Sequence, residues 1–339
     1  MADCCVVGPG GVGGYLAAVL AAGGLDVAVV ARGAHGDAIE RDGLRLDDPQ
    51  RTGMAPARVT VARNLADAPP AGVVMLAVKH PSLVALAAEL PAYLDRCPSG
   101  AVALAVQNGV IHLDGPLTTE LPGRLLVGSV YIFSHVEEPG LITVLGGPRL
   151  YRFGPLEPAD TALHARAEEI AARWSAAGLA TAADPDGRRV CWEKLCLLAP
   201  LSAITALTAR SVGEFRELPD MMQTFRTLCE EVRQVGVAED VPVDPGMVDF
   251  AAAGIASTDA AGRSSLSRDL AAGRDSEIEV LLGDVVRRAD AHGVPVPALR
   301  AVYAATRLRY GVDVPGAQPG DPEAAARVFS AALQGNPAQ

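Results

Sequence analysis

Asp3-Cys-Cys-Val-Val-Gly8-Pro-Gly10-Gly-Val-Gly13-Gly14 is the stretch that decides how this chain folds. A short apolar run enters a glycine cluster, and the helix-like segment Tyr15–Ala22 leaves it. Gly8, Gly10 and Gly13 match G-x-G-x-x-G, with Gly11 and Val12 inside the loop. The first glycine permits a tight turn, the second lets the backbone approach a pyrophosphate, and the third lets helix pack closely on strand. The start of the helix adds free N–H groups and a positive partial charge, which suit phosphate. In a chain with 35 glycines the spacing alone is weak. The strand before it and the helix after it give it force.

Working outward, Asp26–Arg32, Arg58–Ala62, Gly72–Lys79 and Ala101–Gln107 read as further strands, and Pro81–Tyr93 as a helix. Near-continuous apolar strands alternating with helices imply a parallel sheet covered on both faces. The expected fold class is therefore α/β: an N-terminal Rossmann domain with a doubly wound, mostly parallel sheet, followed by an all-helical C-terminal domain. Between Leu125 and Gly154 three more strands are expected, Val127–Phe133, Leu141–Leu145 and Arg149–Phe153, with turns at Pro139-Gly140 and Gly146-Gly147. Helices are expected over 189–210, 218–235, 265–292 and 297–310, with a last short one near 322–334. Asp184-Pro-Asp-Gly187 is a polar break that reads as a hinge, so the domains divide as 1–183 and 184–339. The end of the second strand selects the nucleotide. An acid there would bind a ribose hydroxyl, but this chain has Arg32, which favours the 2′-phosphate of NADP. Asp37 and Glu40 lie too far along to replace the missing acid.

Composition excludes several function classes. A formal charge of −11 and the absence of any basic run argue against nucleic-acid or anionic-membrane partners. The six cysteines show no metal spacing, so no metal is expected, and they fit a reduced, cytoplasmic compartment. The start Met-Ala-Asp carries no charged leader pattern. No apolar run reaches about 18 residues without a charge or breaker, so no membrane span is expected.

Only two of the 29 basic residues are lysines, Lys79 and Lys194; the other 27 are arginines. Lysine is a compact charge whose pKa shifts readily on burial, whereas arginine effectively keeps its proton. A proton-donating site is one place where arginine cannot substitute. Lys194 lies in Trp192-Glu-Lys-Leu on a helix, beside Leu195, Leu197 and Leu198. Partial desolvation there would lower its pKa and ease proton donation near neutral pH. Ser264-Ser265 offers an N-cap, and Gly273-Arg-Asp-Ser-Glu277 follows. On one continuous helix Ser265 and Glu277 would stand roughly 18 Å apart; a cofactor or substrate would then have to span part of that distance, or Gly273 would have to bend the helix.

These residues also carry a resemblance. The chain resembles the ketopantoate reductase (2-dehydropantoate 2-reductase) family over nearly its whole length: in the glycine loop, Val78-Lys79, Gln107-Asn-Gly-Val110, Trp192-Glu-Lys-Leu195, Ser264-Ser265, Gly273-Arg-Asp-Ser-Glu-Ile278, Gly283–Arg288 and His292–Pro297. The resemblance implies NADPH as cofactor and a small carbonyl substrate between the two domains. It implies Lys194 as general acid, Glu277 near the ribose and substrate, Asn108 and Ser265 as polar contacts, and Lys79 by the cofactor. It also implies a step of pantothenate biosynthesis. The apolar C-terminal helices are a candidate homodimer surface. The family helix reads K-x-x-x-N-x-x-x-N, but here those asparagines are Leu198 and Ser202, and a further family asparagine is Gly262. These departures motivate two alternatives: a reductase of a bulkier, less polar carbonyl or imine compound, or a non-catalytic NADP(H)-binding protein.

Overall fold

The structure is a computed structural model that describes residues 1–312. The helix expected near 322–334 lies outside the described residues. The chain begins with β1 (Ala2–Val7), α1 (Gly11–Ala22), β2 (Val27–Val30), α2 (Gly33–Asp42), β3 (Arg45–Asp47), β4 (Thr60–Ala62) and β5 (Ala71–Leu76). Next come α3 (His80–Ala87), α4 (Leu90–Asp95), β6 (Val102–Ala105), a short turn of helix at Ile111–Asp114 and α5 (Pro116–Glu120). β7 (Leu125–Glu138), β8 (Leu141–Pro155), α6 (Thr161–Ala176) and β9 (Thr181–Ala183) complete one sheet, ordered β3-β8-β7-β6-β5-β1-β2-β4 with β9 paired to β8. β4, β2, β1, β5, β6 and β7 pair in parallel, and β7 with β8 is antiparallel. Alternate residues of β1 enter different cores: Cys5 and Val7 join one apolar cluster, Cys4 and Val6 the other. Both faces are covered, which is why the strand is apolar throughout. From β1 the chain goes one way to β2 and later the other way to β5, so a crevice opens past the strand ends beside Val7 and Leu76.

The first of those clusters runs without a break into the C-terminal helices: α7 (Gly187–Thr208), α8 (Val212–Arg216), α9 (Pro219–Ala238), α10 (Met247–Ser257), α11 (Ser265–Ala271), α12 (Asp284–His292) and α13 (Pro297–Tyr310). α7 is the hub and is long and apolar enough to cross a membrane by composition, but most of its apolar window is buried within the molecule. Trp192 packs on α9 in a notch: a Cβ on Gly236 would stand 3.0 Å from its indole ring.

The structure adds β3, β9, α8 and α10 to the expected elements, and four of the expected ones differ. The helix over 81–93 is two helices, because Pro91 cannot donate to Ala87 and its ring would clash with that carbonyl. Two strands, not three, fill 125–155. Gly146-Gly147 is no turn but part of an irregular stretch of β8. A Cβ on Gly147 would lie 3.0 Å from the Cα of Ile132, so the glycine admits the partner backbone. The helix over 265–292 breaks at Gly273 (φ 63), where the Arg274 N–H turns back to the Asp269 carbonyl at 2.9 Å. It resumes as one wide turn, Glu279–Gly283, leading into α12. The polar break at 184–187 is a packed junction rather than a loose hinge. Asp184 and Asp186 are buried, and a Cβ on Gly187 would lie 2.6 Å from the Gly154 carbonyl.

Candidate active site

The glycine loop forms one wall of a cleft of about 370 Å³, lined by Gly8, Pro9, Gly10, Arg32, His35 and Ser82 among others. Its glycines meet different local steric demands. Gly8 has φ 87, and a Cβ there would press on Val78 at 2.7 Å. A Cβ on Gly13 would collide with the Gly8 carbonyl and stand 2.8 Å from the Ala77 Cβ. Gly10 faces open space, with nothing within 4 Å of an added Cβ. No side chain caps α1, so its first amides stay available to an anion. Arg32 lies at the start of α2, exposed on the cleft. Asp37 and Glu40 both pair with Arg63, at 2.8 and 2.6 Å, so they do not compete for Arg32.

Lys194 is positioned from beneath. Asp186 caps α7 by accepting from the Arg189 N–H at 2.9 Å. Arg152, on β8, donates to Asp184 and Glu193, each at 2.6 Å. Arg189 donates to the same two acids at 2.7 and 3.1 Å. Burial opposes the Asp184 charge, but the Asp186 N–H and Arg152 outweigh it and hold its carboxyl below the ordinary value. This four-member network pins the first turns of α7 to the sheet.

Two turns into α7, Lys194 Nζ donates to Asn108 Oδ1 at 2.7 Å, and Asn108 Nδ2 donates to Glu277 Oε2 at 3.2 Å. Burial pushes the Lys194 ammonium down to about 8, opposed by Cys191 and Glu277. Its Nζ stands 6.0 Å from the centre of the Tyr131 ring, on β7. Burial pushes the Tyr131 phenol up to about 12, so it stays protonated near neutrality. The loop bearing Asn108 is held from both sides. Gln107 donates to the carbonyls of Leu76 and Val78 at 2.7 and 3.0 Å. Gly109 (φ 78) abuts Val280, whose carbonyl would lie 2.8 Å from a Cβ. Behind the loop, His112 is buried and pushed down to about 3, mainly by burial, so its imidazole is neutral.

The other anticipated residues fall in different places. The break at Gly273 returns the chain so that Glu277 meets Asn108. Lys79 reaches across the cleft to Asp269 at 3.3 Å and to the Asp275 carbonyl at 3.1 Å. Ser264, not Ser265, caps α11 and bonds Thr205, leaving Ser265 exposed on its first turn. Leu198 is half-buried on α7, one turn beyond Lys194. Ser202 is fully buried, and its hydroxyl has no hydrogen-bond partner among the described residues. Gly262 has no room for a side chain, since a Cβ would sit 2.9 Å from the Asp259 carbonyl. The sequence reading did not single out Tyr131 or His35. No local pattern marks them: Tyr131 meets the site through the pairing of β7, and His35 through the docking of α2 on the glycine loop and on the turn between β7 and β8.

The family profile described as ketopantoate reductase PanE/ApbA matches residues 4–158, and its C-terminal counterpart matches 186–309. The chain belongs to the ketopantoate reductase family. It is 31% identical over 323 residues to a 2-dehydropantoate 2-reductase of Mesorhizobium japonicum, covering 89% of this chain and 96% of that protein. It is 30% identical over 305 residues to one of Halobacterium salinarum, covering 89% and 97%. Its fold matches a crystal structure of a PanE/ApbA family ketopantoate reductase from Ralstonia eutropha JMP134, with TM-score 0.75, 29% identity and 91% and 98% coverage. Membership makes the chain an oxidoreductase of nicotinamide-cofactor type. The residues present fit such a cofactor: an approach to Gly10 is open, α1 presents amides that no described side chain caps, and Arg32 supplies positive charge at the cleft.

Proposed function

We propose that this chain reduces the keto group of a 2-keto acid with NADPH, and that Lys194 is the general acid. The observation that carries this reading is the line Lys194–Asn108–Glu277, with a partly buried ammonium at about 8. NADPH, when bound, supplies the hydride to the carbonyl carbon. Lys194 Nζ holds the proton that the developing alkoxide takes. Asn108 aims the ammonium by accepting one of its N–H bonds, and Glu277 anchors the amide while its charge supports the protonated lysine. Ketopantoate is the first substrate to test, by the absorbance of NADPH in the presence of purified protein. Turnover that disappears in Lys194→Ala supports the reading; near-normal turnover in that variant overturns it.

Arg32 supports NADPH over NADH. A guanidinium on a phosphate makes charge-assisted bonds worth about 1.5–3 kcal/mol. Arg32→Ala is expected to raise the Kd for NADPH by roughly tenfold to a hundredfold and to leave that for NADH unchanged. Calorimetric titration with both nucleotides checks this, and an equal loss for both would reject the assignment.

Leu198 favours an apolar substrate side chain. It lies on the same face of α7 as Lys194, four residues on, and offers carbon where a hydroxyl-bearing substrate would need a partner. A polar group left unpaired there costs about 1–3 kcal/mol. Leu198→Asn should therefore raise kcat/KM for ketopantoate relative to 3,3-dimethyl-2-oxobutanoate, which keeps the carbon frame and lacks only the hydroxyl, by about tenfold. An unchanged ratio would remove Leu198 from the substrate site.

A further inference from the structure

His35 is a partly buried side chain of the cleft that the reaction above leaves unused. It sits on the first turn of α2 and makes two bonds to distant parts of the chain. Its Nε2 lies 2.8 Å from the Pro9 carbonyl, and its Nδ1 accepts from the Gly140 N–H at 3.1 Å. An N–H can only donate, so Nδ1 must be the bare nitrogen. Nε2 therefore carries the proton and donates to Pro9, which selects one neutral tautomer.

The two partners have different roles. Pro9 belongs to the glycine loop, and Gly140 is the turn between β7 and β8. The hairpin touches the loop at further points. A Cβ on Gly11 would lie 2.5 Å from the Ser134 carbonyl, and one on Gly14 would lie 2.7 Å from the Ile142 side chain. The Tyr151 hydroxyl donates to the Val12 carbonyl at 2.7 Å. β7 also carries Tyr131, beside Lys194. The hairpin therefore backs the cofactor loop and reaches the proton donor, and His35 joins its tip to the loop's one proline.

We propose that His35 is a positioning residue for the dinucleotide, holding the Pro9–Gly10 peptide in the orientation that accepts a pyrophosphate. The Gly10 N–H is already turned to the Gly8 carbonyl at 2.8 Å. His35 takes the opposite end of the same peptide and keeps the Pro9 carbonyl dipole away from the phosphate. Without that bond the Gly10 N–H alone restrains the peptide, the Pro9 carbonyl turns toward the anion more readily, where it repels, and the nucleotide must reorder the loop on binding. The inference rests on the nucleotide-binding half of the reading above and not on its chemical step.

The test compares wild type, His35→Phe and His35→Gln by NADPH titration calorimetry, with thermal melting of each apoprotein. His35→Phe keeps the bulk but loses the donor, and is expected to raise the NADPH Kd about tenfold, the size of one lost hydrogen bond. His35→Gln keeps an N–H that can reach Pro9 and should recover most of the affinity. In steady state the KM for NADPH should rise in His35→Phe while the KM for the keto acid stays put. Nitrogen NMR of the wild-type imidazole should show the Nε2–H tautomer before nucleotide is added. Unchanged affinity in His35→Phe, equal losses in both variants, or the Nδ1–H tautomer would overturn the proposal. Wild-type protein that does not bind NADPH would instead sink the nucleotide reading, and the tautomer measurement would still decide the brace.

Discussion

Lys194→Ala is expected to lower kcat on a 2-keto acid by about 10²–10⁴-fold, the usual contribution of a positioned acid, while NADPH binds almost as before. The reason is where the ammonium sits. It lies beside Tyr131, bonded to Asn108, and burial draws its pKa to about 8, against Cys191 and Glu277, which oppose the shift. An acid close to ambient pH is strong enough to give up its proton and still holds it at the start of each turnover. With Lys194 as the proposed acid only the protonated form reacts, so kcat/KM should be level below about 8 and fall as pH rises through that value. Lys194→Arg tests charge against acidity. It restores a cation but not a group able to lose its proton, so it should recover little. A pH profile with no limb near 8, or full activity in Lys194→Arg, would remove Lys194 from the proton step.

The second large effect is on stability. Arg149 is held at φ 60 and buried, and its guanidinium makes two bonds to the buried Asp48, at 3.0 and 2.6 Å. Asp48→Ala strands that cation and is expected to cost about 3–5 kcal/mol, the usual result of removing one partner of a buried pair. A lower denaturant midpoint with an unchanged slope would show it. Adding Arg149→Met should recover most of the loss, because the stranded charge is then gone. If the single and double variants melt alike, the pair is not what holds the segment after β3, which bears Asp48, on β8. The pH dependence follows from the shift. Burial raises the Asp48 pKa, but Arg149 and the Gln50 N–H outweigh it, so the folded value lies below 3.8. The stabilisation is complete above that ordinary value and is lost as acidification passes through the lower folded one.

Particular elements show what could be read without coordinates. β1, α1 and the three glycines were legible because each glycine meets a steric demand set by its immediate neighbours: Gly8 by the turn, Gly13 by Gly8 and Ala77. α13 was legible at both ends, through Pro297 and the left-handed Gly311. The long β7–β8 pair was not, because Gly146-Gly147 looks like a turn until the partner strand shows that it admits backbone. Lys194, Asn108 and Glu277 were each visible as residues, one by the rarity of lysine and all three by family resemblance. Their order in space was not. A continuous helix would have kept Ser265 and Glu277 far apart, and only the reversal at Gly273 lets Glu277 close on Asn108.

The sequence by itself determined the dinucleotide-type glycine loop, the strand–helix alternation, the arginine at the end of the second strand and the two lysines. All of these depend on local spacing and residue chemistry, which act over a few residues. Only the tertiary structure decided which groups meet. Asn108 joins a lysine 86 residues away to a glutamate 169 residues away, and His35 reaches Gly140 across 105 residues. Contacts of that range are set by sheet order and helix packing, which sum the burial of many apolar side chains, and no single stretch of the chain carries that sum.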